Sequence, residues 1–297
     1  MVNGVSLEPF KDIYPFQSRW AQIGPYRYHY LDEGSGETLL MLHGNPTWSF
    51  YYRDLVAGLR GGYRCVVPDH IGCGLSDKPQ EYDYTLARHI ENLEFLCERL
   101  ALRDVTLVMH DWGGAIGMGY AVRHPLNVKR LVVFNTAAFL SERIPLSINL
   151  CRLPVFGAAA IRLFNAFARM AVLRACKRRE RMTPKVRAGY LAPYNSYANR
   201  VGNLRFVQDI PMNPKVPSYS VVESIESQLQ QFRDRPTLMV WGKKDFCFND
   251  YFLERWKALF PTAEVHEVPD AGHYVVEDAH ERIVPWMKSF LSRNPMQ

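Results

Sequence analysis

Short apolar runs alternate with longer amphipathic segments over the first 136 residues. Tyr26–Leu31, Thr38–Leu42, Arg64–Val67, Val105–Met109 and Leu131–Phe134 are compact, β-branched or aromatic, and read as strands. Leu86–Leu100 and Ala115–His124 carry apolar residues at helical spacing. A strand covered by helices on both faces reads as a continuous apolar run, so this alternation predicts a mostly parallel, doubly wound sheet. After Asn135 the pattern changes. From Phe139 to about Glu226 the chain is helix-like and Arg-rich, and prolines at 145, 154, 184, 193, 211, 214 and 217 interrupt it. Strand–helix alternation resumes with Thr237–Trp241, Asn249–Phe260, Glu264–Val268 and His280–Leu291. The division expected is a core in two parts, 1–136 and 227–297, with a helical cap, 137–226, inserted between them. No internal repeat or low-complexity tract stands out.

Composition changes this little and charge changes it more. With 297 residues, 47% of them hydrophobic, the chain can bury one large core and an added subdomain. Met1 to Gln17 lacks a basic-then-apolar signal pattern, and no run approaches the ~18–20 apolar residues of a membrane span. The six cysteines show no metal or redox spacing and read as reduced thiols of a cytoplasmic protein. No cofactor, no metal and no nucleic-acid partner is expected. The net charge of +6 is uneven: fourteen basic residues face three acidic ones between Ala137 and Lys215, and the rest of the chain is net acidic. Within the cap, Ile161, Phe164, Phe167, Ala171 and Ala175 recur at helical spacing among Arg162, Arg169, Arg174, Lys177, Arg178, Arg179 and Arg181. One reading is an apolar stripe packed on the core with solvated arginines outside. The other is a surface that docks on an anionic membrane or an acidic partner enzyme, which would make the protein peripherally membrane-associated.

The candidate chemistry centres on Val108-Met109-His110-Asp111-Trp112-Gly113-Gly114, where an apolar run meets a helix-compatible one. This layout resembles the nucleophile elbow of α/β-hydrolases, in which Ser commonly holds the exposed turn position. Here Asp111 holds it. A serine that attacked saturated carbon would leave a stable ether, whereas an aspartate leaves an ester that can still be broken down. The chain therefore reads as an enzyme for carbon bearing a leaving group. The bland alternative for Asp111 is an N-capping residue at a helix start.

Such an elbow needs an acid and a base in the chain order nucleophile, acid, base. His273, in Asp270-Ala271-Gly272-His273-Tyr274 after the last strand, is the candidate base. His43, His70 and His110 flank other loops and suit structural hydrogen bonds, and His89, His124, His266 and His280 read as surface or helix positions. Val133-Phe134-Asn135-Thr136 offers no carboxylate after its strand, but Val240-Trp241-Gly242-Lys243-Lys244-Asp245 does, so Asp245 is the candidate acid. Asp270 and Asp278 rank below it because neither directly follows a strand. Leu42-His43-Gly44-Asn45-Pro46 follows another strand. Backbone N–H groups of Asn45 and Trp112 would form an oxyanion hole, each such donor being worth ~10²–10³ in rate. The Asn45 amide and Trp112 indole are neutral donors able to converge on a leaving anion; the alternative for Trp112 is core packing.

Together with Pro68-Asp69-His70-Ile71-Gly72-Cys73-Gly74-Leu75-Ser76-Asp77, these motifs resemble the haloalkane dehalogenase branch of the α/β-hydrolases over nearly the whole chain. The resemblance implies an α/β-hydrolase fold with an eight-stranded sheet. It also implies an Asp111–His273–Asp245 triad, with Asn45 and Trp112 holding the leaving group. Asn135-Thr136-Ala137-Ala138-Phe139, Ala192–Arg200 and Arg205–Pro211 are similar to the β-lactone decarboxylases of bacterial long-chain olefin biosynthesis. That likeness implies conversion of a cis-3,4-dialkyl β-lactone to a cis-alkene and CO2, with a hydrophobic small-molecule substrate and other enzymes of the olefin pathway as further partners. A hydrolytic haloalkane dehalogenase is the second reading. Attack at the lactone carbonyl stands as an alternative to attack at saturated carbon. An epoxide hydrolase would use two cap tyrosines, for which Tyr190, Tyr194, Tyr197 and Tyr219 are available, although Asn45 counts against it. A fluoroacetate dehalogenase would have Arg where Trp112 stands. A catalytically dead binding protein on this fold is the non-enzymatic alternative.

Overall fold

Eight strands occur among residues 4–296, the part of the chain that the computed structural model describes. They are β1 (Arg19–Ile23), β2 (Tyr26–Glu33), β3 (Thr38–Leu42), β4 (Arg64–Pro68), β5 (Val105–Asp111), β6 (Val128–Thr136), β7 (Thr237–Gly242) and β8 (Glu264–Val268). They form one sheet in the order β1-β2-β4-β3-β5-β6-β7-β8. The β1–β2 and β2–β4 pairs are antiparallel and all others parallel. The sequence does not signal β1: of its residues only Ala21 is buried, so it shows no apolar run.

Successive strand residues point to opposite faces, and both faces are apolar. Leu39, Met41, Val108, Val132, Phe134, Leu238 and Val240 pack beneath α1 (Arg53–Leu59) and α11 (Val275–Arg293). Leu40, Leu42, Leu107, Met109, Leu131, Val133, Met239 and Trp241 pack on the other side. That side is covered by α2 (Leu86–Arg99), α3 (Trp112–Arg123) and α10 (Asp250–Leu259). The sheet is therefore doubly wound. Helix α3 starts three residues earlier than the apolar spacing indicates, because Gly113 and Gly114 sit in its first turn. Helix α11 starts at Val275, not His280, and bends at Ala279, whose φ of −143° is non-helical.

Between β6 and β7 lie α4 (Leu146–Cys151), α5 (Pro154–Ala158), α6 (Ala166–Arg174), α7 (Pro184–Leu191), α8 (Val201–Gln208) and α9 (Ser218–Gln228). The cap boundary expected at residue 226 falls inside α9. Val222 and Ile225 of that helix pack with Leu86 and Ile90 of α2. The expected stripe is also broken. Asn165 adopts φ +54°, a left-handed conformation that Asn tolerates, and the chain bends by 72° there. Ile161 and Ala175 are buried, but Phe164 faces solvent. Not all the arginines are solvated: Arg178 and Arg181 both pair with Glu281 of α11. No single helix among the described residues is long and apolar enough to cross a membrane.

Candidate active site

Asp111 ends β5 with φ +51° and ψ −125°, a conformation disfavoured for any residue with a Cβ. The surroundings hold it there. The Thr136 hydroxyl donates to its carbonyl oxygen. The loop after β3 crosses so closely that a Cβ at Gly44 would lie 1.9 Å from Asp111 Oδ1. The expected oxyanion-hole donors meet Asp111 itself. Asn45 N–H donates to Asp111 Oδ1 at 2.7 Å, and the Trp112 backbone N–H also favours the carboxylate. One oxygen is thus gripped, while Oδ2 faces His273 Nε2 at 3.8 Å. Burial raises the Asp111 pKa, opposed by His273 and by these two N–H groups.

His273 lies in the loop between β8 and α11, and its carbonyl is held by His110 Nε2 at 2.8 Å. Its Nδ1 is 2.9 Å from Asp245 Oδ2. A carboxylate only accepts, so Nδ1 carries the hydrogen and Nε2 is left facing Asp111. Burial disfavours a charged ring, but Asp245 and then Asp111 outweigh it and raise the His273 pKa. Asp245 sits in the turn after β7, and its other oxygen accepts from Cys247 N–H at 2.6 Å. Phe248 stacks on the His273 ring.

The competing carboxylates lie elsewhere. Asp270 pairs with Arg282. Asp278 is fully buried and accepts backbone N–H groups from Gly272, Lys177 and Arg178. It ties the cap to the loop bearing His273, a role the sequence does not suggest because these partners are about a hundred residues apart. Asn135, at the strand end lacking a carboxylate, also has a task. Its amide pairs with both backbone groups of Gly242, at 2.8 and 3.1 Å, and so fixes the turn that presents Asp245. A Cβ at Gly242 would strike the Gly272 carbonyl at 2.1 Å, so only glycine lets the turn and the histidine loop approach this closely.

Asn45 and Trp112 both line the cavity above Asp111. The Asn45 amide also donates to the Asn203 carbonyl of α8 at 3.1 Å, which links its orientation to the cap. The cavity holds about 240 Å³. Phe139, Ile148, Phe167, Val207, Val222 and Phe252 are among its apolar lining residues, and Arg143 and Arg174 are the charged exceptions besides Asp111 and His273. None of the four cap tyrosines lines it. Tyr190 donates to Glu277 and Tyr194 to the Thr47 carbonyl, which removes the proton donors an epoxide hydrolase needs. His43 and His70 are structural, hydrogen-bonded to each other's loops. His89 is on a helix as expected but is buried against Phe206. No group of three or more His, Cys, Asp and Glu side chains among the described residues is placed to hold a metal ion.

A family model described as the α/β-hydrolase fold matches residues 37–279. A protein of Shewanella oneidensis named cis-3-alkyl-4-alkyloxetan-2-one decarboxylase is 46% identical over 94% of this chain and 89% of its own. A Mycobacterium tuberculosis protein named haloalkane dehalogenase 2 is 30% identical over 94% of this chain and 96% of its own. Among solved structures, a point mutant of the haloalkane dehalogenase DatA from Agrobacterium tumefaciens is similar, with a TM-score of 0.82 and 25% identity. That likeness covers 93% of this chain and 97% of that one.

Proposed function

The chain belongs to the α/β-hydrolase fold family, and from that premise we propose that it decarboxylates a cis-3,4-dialkyl β-lactone to a cis-alkene and CO2. Asp111 Oδ2 attacks the saturated ring carbon bearing oxygen, that C–O bond breaks, and the freed carboxylate is met by the Asn45 amide and Trp112 indole. Backside attack places the new ester bond anti to the carboxylate, with both alkyl chains on one side. Loss of CO2 then sends the C–C electron pair into the double bond and expels Asp111 as a carboxylate. The alkene is cis, and no proton is consumed. The apolar lining favours this step by solvating the carboxylate poorly. Attack at the lactone carbonyl would instead give a β-alkoxide, for which no cavity-lining tyrosine is present to supply a proton. The substrate is a hydrophobic small molecule. Six free thiols are in keeping with a cytoplasmic location.

The choice of lactone rests on the identity gap, 46% to the decarboxylase against 30% to the dehalogenase. The second reading, haloalkane hydrolysis, is favoured by the intact His273–Asp245 pair beside Asp111, which could activate water against an alkyl ester. The test gives the purified protein a dialkyl cis-β-lactone and, separately, 1-iodobutane. We expect alkene and CO2 from the first and little iodide from the second. Asp111→Ala should lower alkene formation by at least about 10³-fold while the protein stays folded. Rapid iodide release without alkene would reverse the two readings, and an Asp111→Ala variant within about tenfold of the wild type would remove Asp111 as nucleophile.

A further inference from the structure

Nine of the thirteen exposed large hydrophobic side chains among the described residues lie between Leu146 and Leu173, on the outer side of α4 to α6. Val155 is 85% exposed, Leu146 73% and Phe164 67%, and Leu153, Phe156 and Leu163 are more than half exposed. A patch of this density on a soluble surface marks an interaction site. The inner sides of the same helices line the cavity through Ile148, Cys151, Phe167 and Ala171, while Met170 and Arg174 both line it and reach solvent. The apolar patch therefore borders the cavity mouth.

Charge identifies the occupant. Arg169 and Arg174 of α6, and Lys177 and Arg179 just after it in the chain, are exposed, and no ion pair is seen for any of them among the described residues. Arg178 and Arg181, by contrast, are spent on Glu281. An apolar face bordered by unpaired cations fits the boundary between acyl chains and anionic headgroups. The 72° bend at Asn165 divides this stretch into two short helices, neither of them long enough by itself to cross a membrane. We propose that the outer face of α4–α6 rests on an anionic lipid surface, with the cavity mouth opening toward the acyl layer so that a lipophilic substrate enters without crossing water. The substrate clause rests on the lactone reading; the docking itself does not.

The test is sedimentation with vesicles of equal parts phosphatidylglycerol and phosphatidylethanolamine, against vesicles of phosphatidylcholine alone. The wild type should partition at least about tenfold more strongly onto the anionic vesicles at low salt. Raising the salt should weaken this, the screening length being ~8 Å at physiological ionic strength. Combined Val155→Ser, Phe156→Ser and Phe164→Ser should cut partition by about tenfold, and Arg169→Glu with Arg179→Glu should do so separately. None of these five residues lines the cavity, so turnover of a short, soluble dialkyl lactone should stay within about twofold. Turnover of a long-chain lactone presented in vesicles should fall with partition. The proposal is overturned if the wild type does not sediment with anionic vesicles, or if both variants sediment as it does. It is also overturned if light scattering shows a dimer that the serine variant dissociates while no vesicle binding occurs, since the face would then be covered by a second copy. Loss of lactone turnover with vesicle binding intact would count against the activity, not the docking.

Discussion

Burial pushes Asp111 toward its neutral form, yet the imidazole 3.8 Å away gains proton affinity, because Asp245 and Asp111 outweigh its own desolvation. The two titrations serve different chemistry. Alkene formation needs only an anionic Asp111, so it should fail only as pH drops through that raised carboxylate pKa. Hydrolysis of an alkyl-enzyme ester needs neutral His273 and should fail earlier, as pH drops through an imidazole pKa raised above 6.5. Below that point steady-state halide release should decline about tenfold per pH unit, with the alkyl ester accumulating on Asp111, while lactone turnover stays level. Intact-mass spectrometry of the quenched enzyme reads the adduct. A parallel decline of both activities would make His273 a proton carrier in both. The residues of this site were legible because each follows a strand in the order the elbow requires. That Asn45 and Trp112 N–H groups grip Asp111 was not, since spacing does not say which way a donor points.

Helix α2 shows how an element borrows from distant chain. Its first donor, Leu86 N–H, is met by Asp209, just after α8, and by Ser218, the first residue of α9, at 2.9 and 3.0 Å. Burial pushes the Asp209 pKa up to about 6. A carboxyl whose folded pKa is raised contributes stability that is complete below its unfolded value near 3.8 and is lost as pH rises through 6. Asp209→Asn keeps the acceptor and removes the charge. It should stabilise the protein by about 1–2 kcal/mol at neutral pH and flatten the fall in melting temperature between about pH 4 and 7. Thermal unfolding across that range decides; an unchanged slope would mean the carboxylate is adequately solvated. The parallel strands were legible as continuous apolar runs. The breaks at Asn165 and Ala279 were not, because the composition on either side stays helical.

At the scale of the whole molecule, the Asp278 carboxylate joins cap and core. Asp278→Ala would leave the N–H groups of Gly272, Lys177 and Arg178 without their acceptor, costing about 3–5 kcal/mol. It should also lower turnover more than substrate affinity, because His273 follows Gly272 directly. Urea denaturation and kcat measured together test this; a loss below about 1 kcal/mol would show that the clamp is dispensable. The helical stretch between β6 and β7 was legible as a break in the strand–helix alternation. Its attachment was not, because a buried acid at a helix start resembles any N-terminal helical carboxylate in sequence.

The insertion also has a consequence in time. Strands β6 and β7 are hydrogen-bonded neighbours, but β6 ends at Thr136 and β7 begins at Thr237. At a synthesis rate of ~5–20 residues per second, roughly 5–20 s pass on the ribosome between completion of one strand and arrival of its partner. Throughout that interval the growing sheet ends in an open edge of Leu131, Val132, Val133 and Phe134, one that can template pairing with another nascent chain. The long Arg-rich segment emerging next carries a strong positive charge past that edge, and like-charged neighbours on a polysome repel each other while it does so.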